Sequence, residues 1–312
     1  MSSKKKTKSE FTINLEYFLF SLIAKIYRVL SLKKAYLLAK IIGRIAYWID
    51  FIHRRRIIRN LLHAGIAKNK TEAIELAKKN FTHFAMLFVE IIKFRQIVSP
   101  ENFHKHITVS GNEQAILAGI GDKTKGIPPQ QVIIITGHFG NWEIAGSAFT
   151  FLSGKEMLSV MRPFDNPKIG AEIEDMRIGH KHTVVHKKGA IRALVEAVKN
   201  KHNICFVSDQ HASTSEGVET IFFGHPARSH TAPSGLHLKT GLPIIVGGLV
   251  RKNENFEFEF VADSIIQVKP SKDRDADIRS ITQAYTSSLQ NIISKYPEQW
   301  LWAHRRWLDL ER

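Results

Sequence analysis

A histidine and a glutamate separated by four residues, His138 and Glu143, follow directly on the apolar run Val132-Ile133-Ile134-Ile135-Thr136. An imidazole titrates close enough to neutral pH to serve as a general base, and a carboxylate can fix its tautomer. Such a pair takes a proton from a hydroxyl or a water. Five positions along a continuous helix amount to about 140° of rotation, so the two side chains would not share a helical face. They meet if His138 sits in a strand-to-helix turn and Glu143 in the first turn of the next helix. Gly137 and Gly140 flank the histidine and permit a tight backbone there. A helix N-terminus favours the charged form of Glu143. The plainer reading is a loop histidine beside a helix-opening glutamate.

Placing these groups falls to an alternation of elements. From residue 106 onward, short apolar runs alternate with helical segments. Strands are predicted at 107–109, 132–136, 157–161, 184–185 and 204–207, with 243–249 and 256–261 as a hairpin pair. Helices are predicted at about 112–118, 141–153, 167–179, 189–200 and 231–240, and a last one at about 275–295. Asn69 and Glu72 have capping-box spacing and open a helix running to about Lys93. The fold expected is α/β, a mostly parallel sheet flanked by helices. Such sheets bind ligands outside the carboxyl ends of their strands. His138, Arg162 and Asp209 each fall just after a predicted strand end, so one pocket could collect all three.

Asp209 is therefore a second carboxylate for His138, a rival to Glu143 or an addition to it; the alternative is a helix or turn cap. The Arg162 guanidinium offers a fork of donors to a phosphate or to a developing oxyanion, or else makes a surface salt bridge. Asn141 holds the loop or contacts substrate.

The net charge is +16, which means attraction to polyanions. Residues 1–60 hold 14 Lys or Arg against 3 Asp or Glu. Residues 1–9 read as a lysine-rich tail, and 13–63 as basic helices rich in Leu, Ile and aromatics. Lys25, Arg28, Lys40, Arg44 and Asp50 interrupt the apolar runs before they reach the ~18 residues of a membrane span. The pattern fits helices lying in a lipid interface and held by basic residues to anionic lipids. A single tilted span starting near Ile13, or ordinary amphipathic helices capping a core, are the alternatives.

Other chemistries are poorly served. The one cysteine, Cys205, excludes an intramolecular disulfide framework and any multi-cysteine metal site. Its apolar setting suits a core residue. The 15 histidines show no tight zinc-ligand spacing, and His180-Lys181-His182 is flanked by lysines, so no metal is expected. Basic residues interleaved with Leu, Ile and Phe at helical spacing, without a recognition motif, argue against nucleic acid.

The segment His138-Phe139-Gly140-Asn141-Trp142-Glu143 resembles the signature of the bacterial lipid A biosynthesis acyltransferase family, a histidine, four residues, then Asp or Glu. Further matches follow in order: Met161-Arg162-Pro163 with Asn166, Ser208-Asp209-Gln210, Phe222-Phe223-Gly224 with Ala227, and Tyr296 to Trp307. The resemblance spans residues 15 to 307. It implies a membrane-associated enzyme moving an acyl chain from a carrier thioester to a hydroxyl of a lipid acceptor. Residues 1–63 would then be a basic tail with membrane-associating helices, and 64–312 the acyltransferase domain. His138 would be the base and Glu143 its partner, with no covalent acyl-enzyme and no cofactor beyond the acyl donor as co-substrate. The expected donor is acyl carrier protein, the acceptor a lipid A-type glycolipid, and the place the cytoplasmic face of a bacterial inner membrane. Phe222 to Arg228 would be a turn presenting aromatics to an acyl channel, or core. Trp300, Trp302, His304, Arg305, Arg306 and Trp307 would meet a membrane interface or headgroup, or seal the domain. The competing readings are a lysophospholipid or other glycolipid O-acyltransferase using acyl-coenzyme A, and a basic membrane-binding module without catalysis.

Overall fold

Four helices lead the chain: α1 (Glu10–Val29), α2 (Leu32–Ile49), α3 (Phe51–His63) and α4 (Lys70–Ile97). The computed structural model describes residues 8–161, 163–177, 181–186, 189–307 and 310. The capping box at α4 forms as the spacing predicts. The Asn69 side chain accepts from the Glu72 N–H at 2.9 Å, and the Glu72 carboxylate accepts from the Lys68 N–H at 2.8 Å. α2 packs along α4, and Ala24, Tyr27, Ala35, Tyr36 and Ala39 of α1 and α2 join a core that continues through Met86 and Val89 to Phe149 and Phe258.

Strands and helices then alternate: β1 (Ile107–Gly111), α5 (Glu113–Gly119), β2 (Ile133–Thr136), α6 (Trp142–Ser153), β3 (Met157–Met161), α7 (Pro167–Arg177), β4 (His182–His186), α8 (Ala190–Lys199) and β5 (Asn203–Val207). A hairpin follows, β6 (Gly217–Phe222) and β7 (His225–His230), then α9 (Ala232–Thr240), β8 (Ile244–Arg251), β9 (Phe258–Ile266) and α10 (Arg274–Lys295).

Among the described residues, seven strands form one sheet in the order β1-β9-β8-β2-β5-β3-β4. Every pairing in it is parallel except β8 with β9. The fold is therefore α/β with a mostly parallel sheet, and β8 and β9 make the antiparallel hairpin that the sequence predicts. β2 lies between β5 and β8, covered on both faces, which is why it reads as an unbroken apolar run rather than an alternating one. Its side chains still divide by the two-residue period of a strand. Ile134, with Cys205 and Ile245, faces α4–α6; Ile133 and Ile135, with Ile204 and Phe206, face α8–α10.

Two alternatives that the sequence left open are decided. Phe222 to Arg228 is not a turn offered to a channel: Phe222 ends β6, and Phe223-Gly224 form the two-residue reversal, both at positive φ (52° and 75°). That is the geometry of a tight hairpin whose twist matches its strands. Phe222 is buried among Trp300 and Trp307. The carboxyl-terminal indoles do not face a membrane. Trp300, Trp302, Trp307 and Arg306 are each 1% exposed or less. Each indole N–H has an internal acceptor, Asp209 for Trp300, the Pro297 carbonyl for Trp302 and the Phe222 carbonyl for Trp307. With its three indoles buried and satisfied in this way, the segment seals one end of the domain.

Candidate active site

The carboxyl end of β2 leads through Gly137 into His138, and the chain turns at 138–141 before α6 begins. Gly140 makes the turn at φ +57°, and a Cβ there would lie 2.0 Å from the Leu249 carbonyl oxygen, so only glycine fits. The turn is tied on two sides. The Asn141 N–H donates to the Leu249 carbonyl (2.7 Å) and the Gly140 N–H to the Gln299 carbonyl (2.9 Å). The Leu301 N–H donates to the His138 carbonyl at 3.0 Å. The imidazole is thus presented from a clamped backbone.

Asp209, just beyond the end of β5, meets that imidazole. Its Oδ1 accepts from Nδ1 of His138 at 2.7 Å. Its Oδ2 accepts from the His138 backbone N–H (2.7 Å) and from Nε1 of Trp300 (2.8 Å). Burial alone would raise the Asp209 carboxyl. The charge of His138 and these three donors outweigh that and hold it at about 2. An ionised carboxylate on Nδ1 keeps the proton of the neutral ring there, and the lone pair falls on Nε2. His138 is therefore oriented as a base whose accepting nitrogen faces away from Asp209. The ring packs edge-on against Trp142, with centroids 5.2 Å apart.

Nε2 opens on a cavity of about 650 Å³. His138, Glu143, Gln210 and His211 contribute polar groups to its wall, while Ile134, Phe149, Met157, Val160, Leu194 and Phe206 make most of the rest apolar. Ser159 and His182, joined at 2.8 Å, also line it, as do Thr136, Ser208 and His230. A neighbouring imidazole, His304, accepts the His211 N–H on Nε2 at 3.2 Å. Burial carries the His304 pKa down to about 4 despite the pull of Asp209, so it is neutral at physiological pH.

The structure brings His138, Glu143 and Asp209 to one place. Glu143, in the first turn of α6, is 8% exposed and lines the same cavity as His138. Asn141 is fully buried beneath the turn: its Oδ1 accepts the Ile144 N–H at 3.3 Å, capping α6, and its Nδ2 donates to Glu90 at 2.8 Å. Arg162 lies outside the described residues, next to Met161, which lines the cavity. Among the described residues, no group of three or more His, Cys, Asp or Glu could hold a metal ion.

Sequence reading missed the group that supports the turn from behind. Glu90 of α4, fully buried, pairs with Arg251 at the end of β8 and accepts from the Tyr36 hydroxyl at 3.1 Å. Nη1 of Arg251 donates to Nδ1 of His83 at 2.9 Å, so the His83 proton sits on Nε2, which donates to the Gly140 carbonyl at 3.2 Å. Burial and the adjacent guanidinium push the His83 pKa well below 6.5, which keeps the ring neutral. The one available signal was a carboxylate inside the apolar stretch Val89-Glu90-Ile91-Ile92. Removing one partner of a buried ion pair leaves a charge without compensation. Arg251→Ala is therefore expected to lower stability by about 3–5 kcal/mol, read as a shift of the urea unfolding midpoint. A midpoint unchanged from wild type would contradict this account of the pair.

With this geometry in place, comparison with known proteins gives two findings. The family described as bacterial lipid A biosynthesis acyltransferase matches residues 3–309, so the match covers the leading helices and the sheet alike. No curated protein matches the chain.

Proposed function

Because this chain belongs to the bacterial lipid A biosynthesis acyltransferase family and is thereby an acyltransferase, we propose that it moves a fatty acyl chain from an acyl-carrier-protein thioester to a hydroxyl of a lipid A-type glycolipid. The observation that carries this reading is an oriented base, His138 on Asp209, opening on a mainly apolar cavity. The acyl chain occupies the cavity and leaves its thioester carbonyl beside Nε2. The acceptor hydroxyl loses its proton to Nε2 as its oxygen bonds to the carbonyl carbon. The C–S bond then breaks, and His138 returns the proton to the departing thiolate. Asp209 holds the tautomer and stabilises the imidazolium between the two transfers. Glu143 adds a second carboxylate on the cavity side, and Arg162 a cation for a phosphate or for the oxyanion. Direct attack needs no acyl-enzyme, so neither Cys205 nor Ser208 is assigned as a nucleophile.

The test is acyl transfer by the purified protein in lipid vesicles. Labelled acyl-carrier protein and acyl-coenzyme A are offered in turn, with a lipid A precursor or a lysophospholipid as acceptor. Label in the lipid A precursor from the carrier-protein donor is the expected result. Label only in the lysophospholipid, or only from coenzyme A, would move the assignment to the other reading. Transfer to neither lipid from either donor would overturn it.

The leading helices supply the membrane contact in this proposal. Among the described residues, 17 of the 21 exposed large hydrophobic side chains fall between Phe11 and Leu62, and no helix is long and apolar enough to cross a membrane. Trp48 and Ile49 are 71% and 72% exposed, with Arg44 and Arg54 nearby in sequence. Such a face suits shallow insertion among anionic lipids at the cytoplasmic surface of the inner membrane. Each large apolar side chain inserted is worth about 1.5–3 kcal/mol. Replacing both Trp48 and Ile49 with Asp is expected to lower partitioning onto anionic vesicles at least ~10-fold, measured by co-flotation. Unchanged flotation would place the contact elsewhere.

A further inference from the structure

Gln210 contacts the one nitrogen of His138 that the mechanism leaves open. Asp209 and Gln210 are consecutive at the end of β5, and together they address both nitrogens of one imidazole. Asp209 takes Nδ1 at 2.7 Å, and the Gln210 carboxamide nitrogen stands 3.4 Å from Nε2. With the lone pair on Nε2, the amide turns its N–H₂ toward that nitrogen, because the carbonyl end would set one acceptor against another. The resting site therefore holds a neutral donor where the acceptor hydroxyl must dock.

We propose that Gln210 is a catalytic residue, the donor that stabilises the oxyanion formed on the thioester carbonyl oxygen. The inference rests on the acyl-transfer reading given above. When the hydroxyl reaches Nε2 it displaces the amide from that lone pair, and the amide stays within reach of the reacting centre. Two acceptors are then available to it. A hydrogen bond to the attacking oxygen would draw on the lone pair that must form the new bond. The carbonyl oxygen, by contrast, gains a full negative charge as the C–O bond forms and loses it as the C–S bond breaks. A donor there is stronger in the transition state than in the ground state, which is the condition for accelerating the step.

The fold fixes the backbone that carries this donor before substrate arrives. The Ser208 N–H donates to the Thr136 carbonyl at 2.9 Å, which holds β5 to β2 up to the site. The next residue, Asp209, is locked by three hydrogen bonds. The Gln210 backbone thus starts from a fixed point, and the side chain has only to turn from Nε2 to the neighbouring carbonyl oxygen. A neutral amide also adds no charge beside His138, so it stabilises the oxyanion without working against protonation of the base.

Gln210→Leu keeps the side-chain bulk and removes the donor, and Gln210→Glu keeps the shape and sets an acceptor in its place. In the vesicle transfer assay with the full-length chain, each is expected to lower kcat by about 10²–10³, with the KM of donor and acceptor within about threefold of wild type. Slow hydrolysis of the donor thioester in the absence of lipid uses the same carbonyl and falls in parallel. Unfolding midpoints show which variant is folded, and the comparison is made on it. A raised acceptor KM with kcat preserved, hydrolysis spared while transfer falls, or kcat within about threefold of wild type would each overturn the assignment. Wild-type protein that transfers no acyl group would instead overturn the acyl-transfer reading itself, so the two failures are distinguishable.

Discussion

His138→Ala lowers kcat for acyl transfer by about 10²–10⁴, the contribution of a positioned general base. The KM for the acyl donor is expected to stay close to wild type, because the site proposed for the acyl chain is the apolar wall and not the imidazole. The residual rate reflects what the cavity still does, which is to hold two reactants together. The variant is expected to fold. The His138 side chain is 24% exposed, and its loss leaves the Asp209 carboxylate with two donors, the residue 138 backbone N–H and the Trp300 indole. Steady-state transfer with both substrates saturating checks this, and a variant retaining more than a tenth of wild-type kcat would remove His138 from the base role.

Asp209→Asn is expected to cost as much for a different reason. The wild-type carboxylate accepts on both oxygens, Nδ1–H on one side and two N–H groups on the other. A carboxamide accepts on one side only. If its oxygen stays with the Trp300 and His138 backbone donors, its NH₂ faces Nδ1 and donates to it. The imidazole proton then moves to Nε2, and the base has no lone pair for the hydroxyl. A wrong tautomer of this kind costs about 10⁴ in serine proteases, and a loss of about 10³–10⁴ is expected here. If the amide turns the other way, two buried donors lose their acceptor and the cost falls on stability instead.

The same carboxylate gives a pH signature of known sign. Its folded pKa, about 2, lies below the ordinary 3.8, so ionised Asp209 stabilises the fold above pH 3.8. That stabilisation, about 2 kcal/mol, is lost as the pH falls through the folded value. The wild-type advantage over Asp209→Asn in urea midpoint should therefore be present at pH 5 and shrink toward pH 2. An advantage that grew on acidification would contradict the assignment.

The sequence was legible where the physics is local. The five-residue run at 132–136, the glycines around His138 and the Asn69–Glu72 box each depend on near neighbours, and their elements appear close to the predicted positions. Spacing alone picked out Glu143 for His138, since both lie in one turn. It left Asp209 as a rival, because the 71 positions between His138 and Asp209 close only when β5 pairs with β2. The β6–β7 hairpin was harder to see. Its second strand, His225–His230, carries a proline and mostly polar or charged residues, its first, Gly217–Phe222, has no regular apolar alternation, and a phenylalanine takes the first positive-φ position where asparagine or aspartate is usual. Glu90, Arg251 and His83 gave no spacing signal at all. The 161 positions from Glu90 to Arg251 are bridged by the packing of α4 over the end of β8, which no periodicity encodes.

The cradle around Asp209 also has an order in time. Trp300, which donates to it, lies 162 positions after His138, and one side of the backbone clamp on the turn comes from residues 299–301. A ribosome adding roughly 5–20 residues per second needs on the order of ten to thirty seconds to cover that distance. α1 to α3, the helices with the exposed apolar face, are made before any of it. On the proposed function, a growing chain would have its surface for lipid available while its base is still unassembled, so arrival at the bilayer would precede competence, and no half-made enzyme would be equipped to spend acyl thioesters on water.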